Sequence, residues 1–304
     1  MNLKQFKYVL VLSQEGSFSG AAESLNISQP SLSQYVKKIE NEIGMPLFDR
    51  TGGNVRLTDA GHAYIEAGRR ILDIEHQMQA RIDDIRENKT GTLQIGTSPF
   101  RSASMMPAVA KQFKAKYPGV RLCIHEDGTA ALMEGLEHGE YDLCVTMLPV
   151  NEQIFGYERI LNEELLLAVP SSYPEFERAK SVDGQDHKAV DFKAIDGLGY
   201  VAITETQFMQ KIFDSLCTKY GVRVNTEIVV KSLESQIEMV KAGLGVAMVS
   251  GGAVDLCRDG EVRFYCFKQK MPAREVVAVW RKDVPISKVS RGFIDTLRAV
   301  CAEK

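Results

Sequence analysis

The stretch NISQPSLSQYVKKIE, residues 26–40, sets a small polar and cationic face against an apolar one. Leu32, Val36, Ile39 and Ile43 recur at intervals of four, three and four, which puts them on one side of a helix. Pro30, Gln34, Lys37 and Asn41 fall opposite, Ser33 and Lys38 flank them, and Gln29 and Ser31 belong to the first turn. Amides, hydroxyls and ammonium groups on the N-terminal half of a helix can bond base edges and phosphates in a DNA major groove. A solvated amphipathic helix carries the same residue types, so the neighbouring elements must decide.

Those neighbours favour DNA. Ser28 is placed to cap the helix, and Pro30 is tolerated in a first turn, where its missing N–H has no partner to lose. A preceding helix near residues 18–25 sets Phe18, Ala21, Ala22 and Leu25 on one face, with alanines small enough for a close crossing. Helices joined by so short a turn meet steeply, as in a helix-turn-helix. Next, PLFDRTGGNVRLTDAG reads as a hairpin turning at Gly52-Gly53, with Arg50 and Arg56 on its arms, suited to lie along a phosphate backbone. Net charge adds nothing, since residues 1–60 carry six cations and six anions; four of those cations lie on the recognition helix and wing.

A second group of candidates is made of hydroxyls. Thr97, Ser98, Ser102, Thr129, Thr204 and Thr206 fall between predicted strands and the helices that follow them. Ligands of open α/β sheets bind beyond the carboxyl ends of the strands. Helix starts there offer free N–H groups and partial positive charge, which suits a carboxylate or other small anion. Ser and Thr also cap helices that bind nothing.

Other motifs carry no chemistry. GLG at 243–245 lies between a helix and a strand, the wrong order for a dinucleotide loop. His125-Glu126-Asp127 and Glu137-His138 lack metal-ligand spacing. The six cysteines form no C-x-x-C pair and read as reduced, mostly buried thiols. Neither a nucleophile elbow nor a phosphate loop is found, and no metal, cofactor or catalytic residue is expected.

The elements that position these residues follow two rhythms. Residues 1–58 read as helices with one hairpin. A long helix then runs over about 59–90, with Thr58 as N-cap and Ala60, Tyr64, Ala67, Ile71, Ile74 and Met78 in a seam that nothing nearby in sequence covers. That seam predicts a partner helix. From Gly91 onward strands and helices alternate, predicting an α/β domain with a mostly parallel sheet. Strands are expected at 92–97, 120–126, 141–147, 199–204, 227–231 and 275–280, and helices at 102–117, 129–138, 207–220, 233–242 and 288–300. The chain is expected to cross twice between lobe I (91–160 and 268–304) and lobe II (161–267).

At 304 residues, with 44% hydrophobic and 25% charged residues and a net charge of −3, the chain is long enough for two or three globular domains. No signal peptide is read at Met1–Leu12, and LLLAVP is far shorter than a membrane span, so a cytoplasmic location is expected.

GSFSGAAESLNISQPSLSQYVKKIENEIGMPLFDR resembles the N-terminal domain of LysR-type transcriptional regulators in its aromatic, Ala-Ala, SQPS-S, IE-E-G and LF-R order and spacing. The later pattern fits the same family over essentially the whole chain. The resemblance implies a winged helix-turn-helix, a long linker helix and a two-lobed effector domain like type 2 periplasmic binding proteins. It implies DNA contacts at Gln29, Pro30, Ser31, Ser33, Gln34, Lys37, Arg50 and Arg56. It also favours Ser98, Ser102 and Thr129 as pocket residues. The family often has Arg where this chain has Gln34, which leaves the operator's base preference open. The expected partners are double-stranded DNA, a small anionic effector, further copies of the chain in a homodimer or homotetramer, and RNA polymerase as a possible addition, with no membrane. A two-lobed solute-binding protein would need export, and an enzyme of similar fold would not explain residues 1–90.

Overall fold

The computed structural model describes residues 2–49, 55–85, 90–174, 176, 181, 187–205, 207–257, 260–272 and 274–302. Three helices, α1 (Leu3–Glu15), α2 (Phe18–Ser24) and α3 (Gln29–Ile43), precede a two-stranded wing of β1 (Phe48–Asp49) and β2 (Arg56–Leu57). Asn26, in the turn between α2 and α3, has φ 52°, a left-handed conformation that Asn tolerates better than most side chains. Ala21 and Ala22 are buried under α3 as the small-residue face requires, and Leu32, Val36 and Ile39 face the same core. Glu40 ties helix to wing, accepting from the Leu47 and Phe48 N–H groups at 2.9 and 3.2 Å. The Gly52-Gly53 turn and Arg50 lie outside the described residues.

Helix α4 (Asp59–Ile85) starts at Thr58, whose hydroxyl accepts from the Gly61 N–H at 3.0 Å. A Cβ at Gly61 would lie 2.1 Å from the Leu47 carbonyl oxygen, so a side chain there would push the wing off the helix. The expected open seam is corrected in its first half. Tyr64 is buried with its ring centroid 5.0 Å from that of Phe6 on α1, and Ala60 packs into the same core. α1 reaches the helix through the fold, not through sequence proximity. Ile71, Ile74 and Met78 remain open, the last two 64% and 56% exposed.

The remaining chain forms two sheets. The first has the order β4–β3–β5–β13–β6, from β3 (Thr90–Thr97), β4 (Gly119–Glu126), β5 (Leu143–Met147), β6 (Phe155–Glu163) and β13 (Arg274–Arg281). β3 pairs in parallel with β4 and β5, whereas β13 runs antiparallel to β5 and β6. The sheet is therefore mixed, and β6 is a strand the sequence reading lacked. Alternation sorts the strands between two layers. Leu143, Val145, Val276 and Ala278 face α6 (Met106–Lys116) and α10 (Lys288–Ala302), while Cys144, Val277 and Val279 face α7 (Thr129–Glu137). The single helix expected over 102–117 is two, α5 (Pro99–Ser104) and α6, broken at Met105. Pro107 lacks the N–H that would bond back into α5.

The second sheet has the order β11–β7–β12–β8, from β7 (Leu165–Pro170), β8 (Lys188–Val190), β11 (Ala247–Ser250) and β12 (Val262–Phe267). A parallel pair, β9 (Gly199–Ile203) and β10 (Asn225–Val230), joins its edge through a bridge between Tyr200 and Val246. α8 (Phe208–Tyr220) and α9 (Leu233–Lys241) cover its two faces. β6 stays in the first sheet to Glu163 and β7 opens the second at Leu165, so the outward crossing falls at Glu164. Arg274 begins the return strand.

Candidate functional sites for DNA and effector

On α3, Gln29, Pro30, Gln34 and Lys37 are exposed, and Ser31 and Ser33 are half-buried at the edge of that face. Ser28 caps the helix, accepting from the Ser31 N–H at 3.3 Å, and the two serine hydroxyls lie 2.7 Å apart. Ser31 is thus partly engaged within the turn, while Gln34 and Lys37 have open surroundings. Arg56 is exposed on β2 and pairs in register with Asp49.

The hydroxyl candidates separate. Thr97 is fully buried and its Oγ1 donates to the Val145 carbonyl at 3.0 Å, so its hydroxyl is spent inside the sheet. This corrects its expected place on the cleft surface. Ser98 is half-buried and caps α5, accepting from the Arg101 N–H at 3.4 Å. Ser102 is half-buried on α5. Thr129 is exposed as the first residue of α7, with Gly128 in the cap position. β3 and β4 end side by side, with Thr97 paired to Glu126, so Ser98 and Thr129 follow neighbouring strand ends. Thr204 follows β9 in the other lobe and is half-buried; Thr206 lies outside the described residues.

The feature missing from the sequence reading is an ionic cluster where the lobes join. Glu163 and Arg274 are cross-strand partners, and Arg274 Nη2 lies 3.3 Å from Glu163 Oε2. Arg101 Nη2 lies 3.3 Å from the same oxygen, and its Nη1 donates to Ser98 Oγ at 3.4 Å. All three side chains are at most 8% exposed. Two cations on one anion leave an excess positive charge beside the Ser98 cap. Burial pushes the Arg274 guanidinium down to about 10, against the opposing pull of Glu163 and with a further push from Arg101. It stays charged at neutral pH. No local pattern announces these residues: Glu163 and Arg274 are 111 positions apart and meet only through the β6–β13 register.

A third region lies between α4 and the first sheet. Arg281 Nη1 pairs with Asp73 Oδ2 at 2.8 Å, Arg69 with Glu140 at 3.3 Å, and His76 with Asp142 at 3.5 Å. Burial raises the Asp142 carboxyl above the usual range, partly opposed by His76. Beside these pairs is a cavity of about 520 Å³ lined by Ile74, Met78, Tyr141, Trp280 and Pro285 among others. Among the described residues no cluster of three or more His, Cys, Asp or Glu side chains is arranged to hold a metal. No helix among them is long and apolar enough to cross a membrane.

Comparison with known proteins agrees with this architecture. Residues 86–302 match the LysR substrate binding domain, and residues 3–62 match the bacterial regulatory helix-turn-helix protein, lysR family. The uncharacterized HTH-type transcriptional regulator YcgK of Bacillus subtilis is 30% identical over 98% of this chain and 94% of its own length. A full-length OxyR variant from Pseudomonas aeruginosa superposes with a TM-score of 0.73 at 25% identity, over 98% of this chain and 95% of that one. Full-length CbnR complexed with its target DNA shares the fold, with a TM-score of 0.68 at 19% identity over 99% and 100% of the two chains. The helix-turn-helix, the two-lobed α/β domain and these matches agree: the chain belongs to the LysR family of DNA-binding transcriptional regulators, which carry an effector-binding domain and are not enzymes.

Proposed function

We propose that this regulator docks α3 in the major groove of its operator and answers to a small anion bound between the two lobes. The observation that carries the anion is the hinge cluster, in which, among the described residues, the buried Arg101 and Arg274 share the single carboxylate of Glu163. An isolated buried charge is costly, so an unmatched cation favours a ligand that neutralises it. The Ser98 hydroxyl and the start of α5 lie beside it. Gln29, Pro30, Ser31, Ser33, Gln34 and Lys37 are the proposed groove contacts, with Arg56 and Arg50 on the phosphates. CbnR, a regulator of the same fold, has been seen on its target DNA. The open seam at Ile71, Ile74 and Met78 supports pairing of two α4 helices, which presents two α3 helices to a two-fold operator. RNA polymerase is the partner that would read the geometry of the bound dimer.

A thermal-shift screen of small anions on the full-length chain tests the reading. A ligand at 100 times its Kd stabilises by about 2.7 kcal/mol if it binds only the folded state. Stabilisation by an anion and not by its neutral amide is expected. A screen in which only neutral compounds stabilise would overturn the anionic effector.

A further inference from the structure

Most of the hydrogen-bonding capacity of Arg274 ends on sulfur. Its Nε and Nη2 lie 3.3 and 2.7 Å from Met147 Sδ, and its Nη1 lies 3.1 Å from Met209 Sδ. Thioether sulfur is a weak acceptor, and the side chain is only 6% exposed. Among the described residues its charge-assisted contact is to Glu163, which it shares with Arg101. Arg101 is no better satisfied, since its Nε is buried without a partner. Guanidinium donors held this poorly in a protein interior are rare, because each forfeits hydrogen bonds it would make in water.

The two sulfurs come from opposite lobes. Met147 ends β5 in the first sheet, and Met209 lies in the first turn of α8 over the second. Arg274 therefore stands between the lobes, contacting one methionine from each. Methionine is unbranched and has three rotatable bonds, so both side chains can yield to a ligand without moving the backbone.

We propose that Arg274 is the receptor for a planar carboxylate on the effector, which displaces the Met147 and Met209 sulfurs and bonds the guanidinium fork in bidentate fashion, with Arg101 as the second cation. The inference rests on the reading that an anion binds between the lobes, and narrows it to one chemical class. A carboxylate sets two oxygens in the plane of the fork. A tetrahedral oxyanion would turn further oxygens toward the thioethers and the Glu163 carboxylate, which offer no donors. Both cations belong to the first lobe, and Met209 of the second must move aside to admit the carboxylate, so its binding is sensitive to how far apart the lobes stand.

The test uses the full-length protein and calorimetric titration with a set of small aliphatic and aromatic carboxylates, each beside its primary amide and its phosphonate. The expected result is a carboxylate that binds wild type at least tenfold more tightly than its amide and its phosphonate. Arg274→Lys, which keeps the charge but removes the fork, should weaken that carboxylate at least tenfold. Equal binding of carboxylate and phosphonate, or an Arg274→Lys protein that folds and binds the carboxylate as wild type does, would overturn this subsite while leaving an anionic effector in place. Failure of every carboxylate and phosphonate to bind wild type would overturn both. The wild-type comparison decides the matter even if the variant does not fold.

Discussion

Asp73 of the linker helix and Arg281 of the first sheet meet at 2.8 Å, with side chains 13% and 11% exposed. The pair bolts the helix that follows the DNA-binding domain to the effector domain. Gly139 makes room for it: its φ is +75°, and a Cβ there would lie 2.1 Å from Asp73 Oδ1. Removing one partner of a buried pair leaves an uncompensated charge, which costs about 3–5 kcal/mol when burial is complete. Arg281 keeps Asp283 at 3.6 Å and the Glu137 carbonyl at 3.2 Å, so Asp73→Ala is expected to destabilise the chain by about 1–3 kcal/mol, discounted for these partners and the residual exposure. A double-mutant cycle with Arg281→Ala, read by urea denaturation, should give a coupling energy above about 1 kcal/mol. Additive effects would show that the pair does not join the two domains energetically.

Gln34 and Arg56 should fail differently. Gln34 is exposed on α3, so Gln34→Ala is expected to relax base preference by about 1–3 kcal/mol at one operator position. Arg56 is on the wing, and Arg56→Ala should weaken binding to all sequences and reduce the salt slope by about one. Fluorescence anisotropy on operator and scrambled DNA at several salt concentrations separates the two. Unchanged binding in both folded variants would refute the docking.

Ile74 is 64% exposed on the linker seam, and among the described residues its cover is far less than that over Tyr64. Ile74→Asp should weaken self-association, since a partner helix would have to bury an unpaired carboxylate. Operator affinity should fall with it, although no groove contact is altered. Sedimentation showing the wild-type oligomer would exclude this seam as the interface.

Burial pushes the Cys144 thiol up to about 12 and Cys217 up to about 11, the latter with help from Asp214. At pH 8 a thiol of pKa 12 is about one part in ten thousand thiolate, against about a quarter for an ordinary cysteine. Both should alkylate at least a hundredfold more slowly than a free thiol in the folded protein, as followed by mass spectrometry. Rapid modification of either would show that its surroundings are open.

The DNA-binding part was legible because its signals are local. The Ser28 cap, the paired alanines and the four-three-four apolar spacing all act within a few turns of chain. The strands β3, β5, β9 and β13 were legible as apolar runs because both faces of their sheets are covered. β6 was not: its sequence, FGYERILNE, is largely half-buried and lacks a continuous apolar run. The candidate effector site was legible only in part, since Ser98 follows a readable strand, but the Glu163–Arg274 pairing depends on the register of two distant strands. Thr97 misled because its hydroxyl turns back to Val145, one strand over. The cover over Tyr64 was missed for the same reason, as α1 reaches it only through the tertiary fold.

If an anion between the lobes controls DNA binding, a titration of operator affinity against that anion will show it. Operator binding is followed by anisotropy against a bound anion identified by thermal shift, in wild type and in Ser98→Ala. Ser98 Oγ accepts from the Arg101 N–H and Nη1 at the start of α5, so if the anion binds there, its loss should cost a hydrogen bond to a charged ligand, about 1.5–3 kcal/mol. The predicted result is an effector midpoint at least tenfold higher in Ser98→Ala, with effector-free operator affinity near that of wild type. Identical midpoints, or operator binding that ignores the anion in both proteins, would contradict the claim.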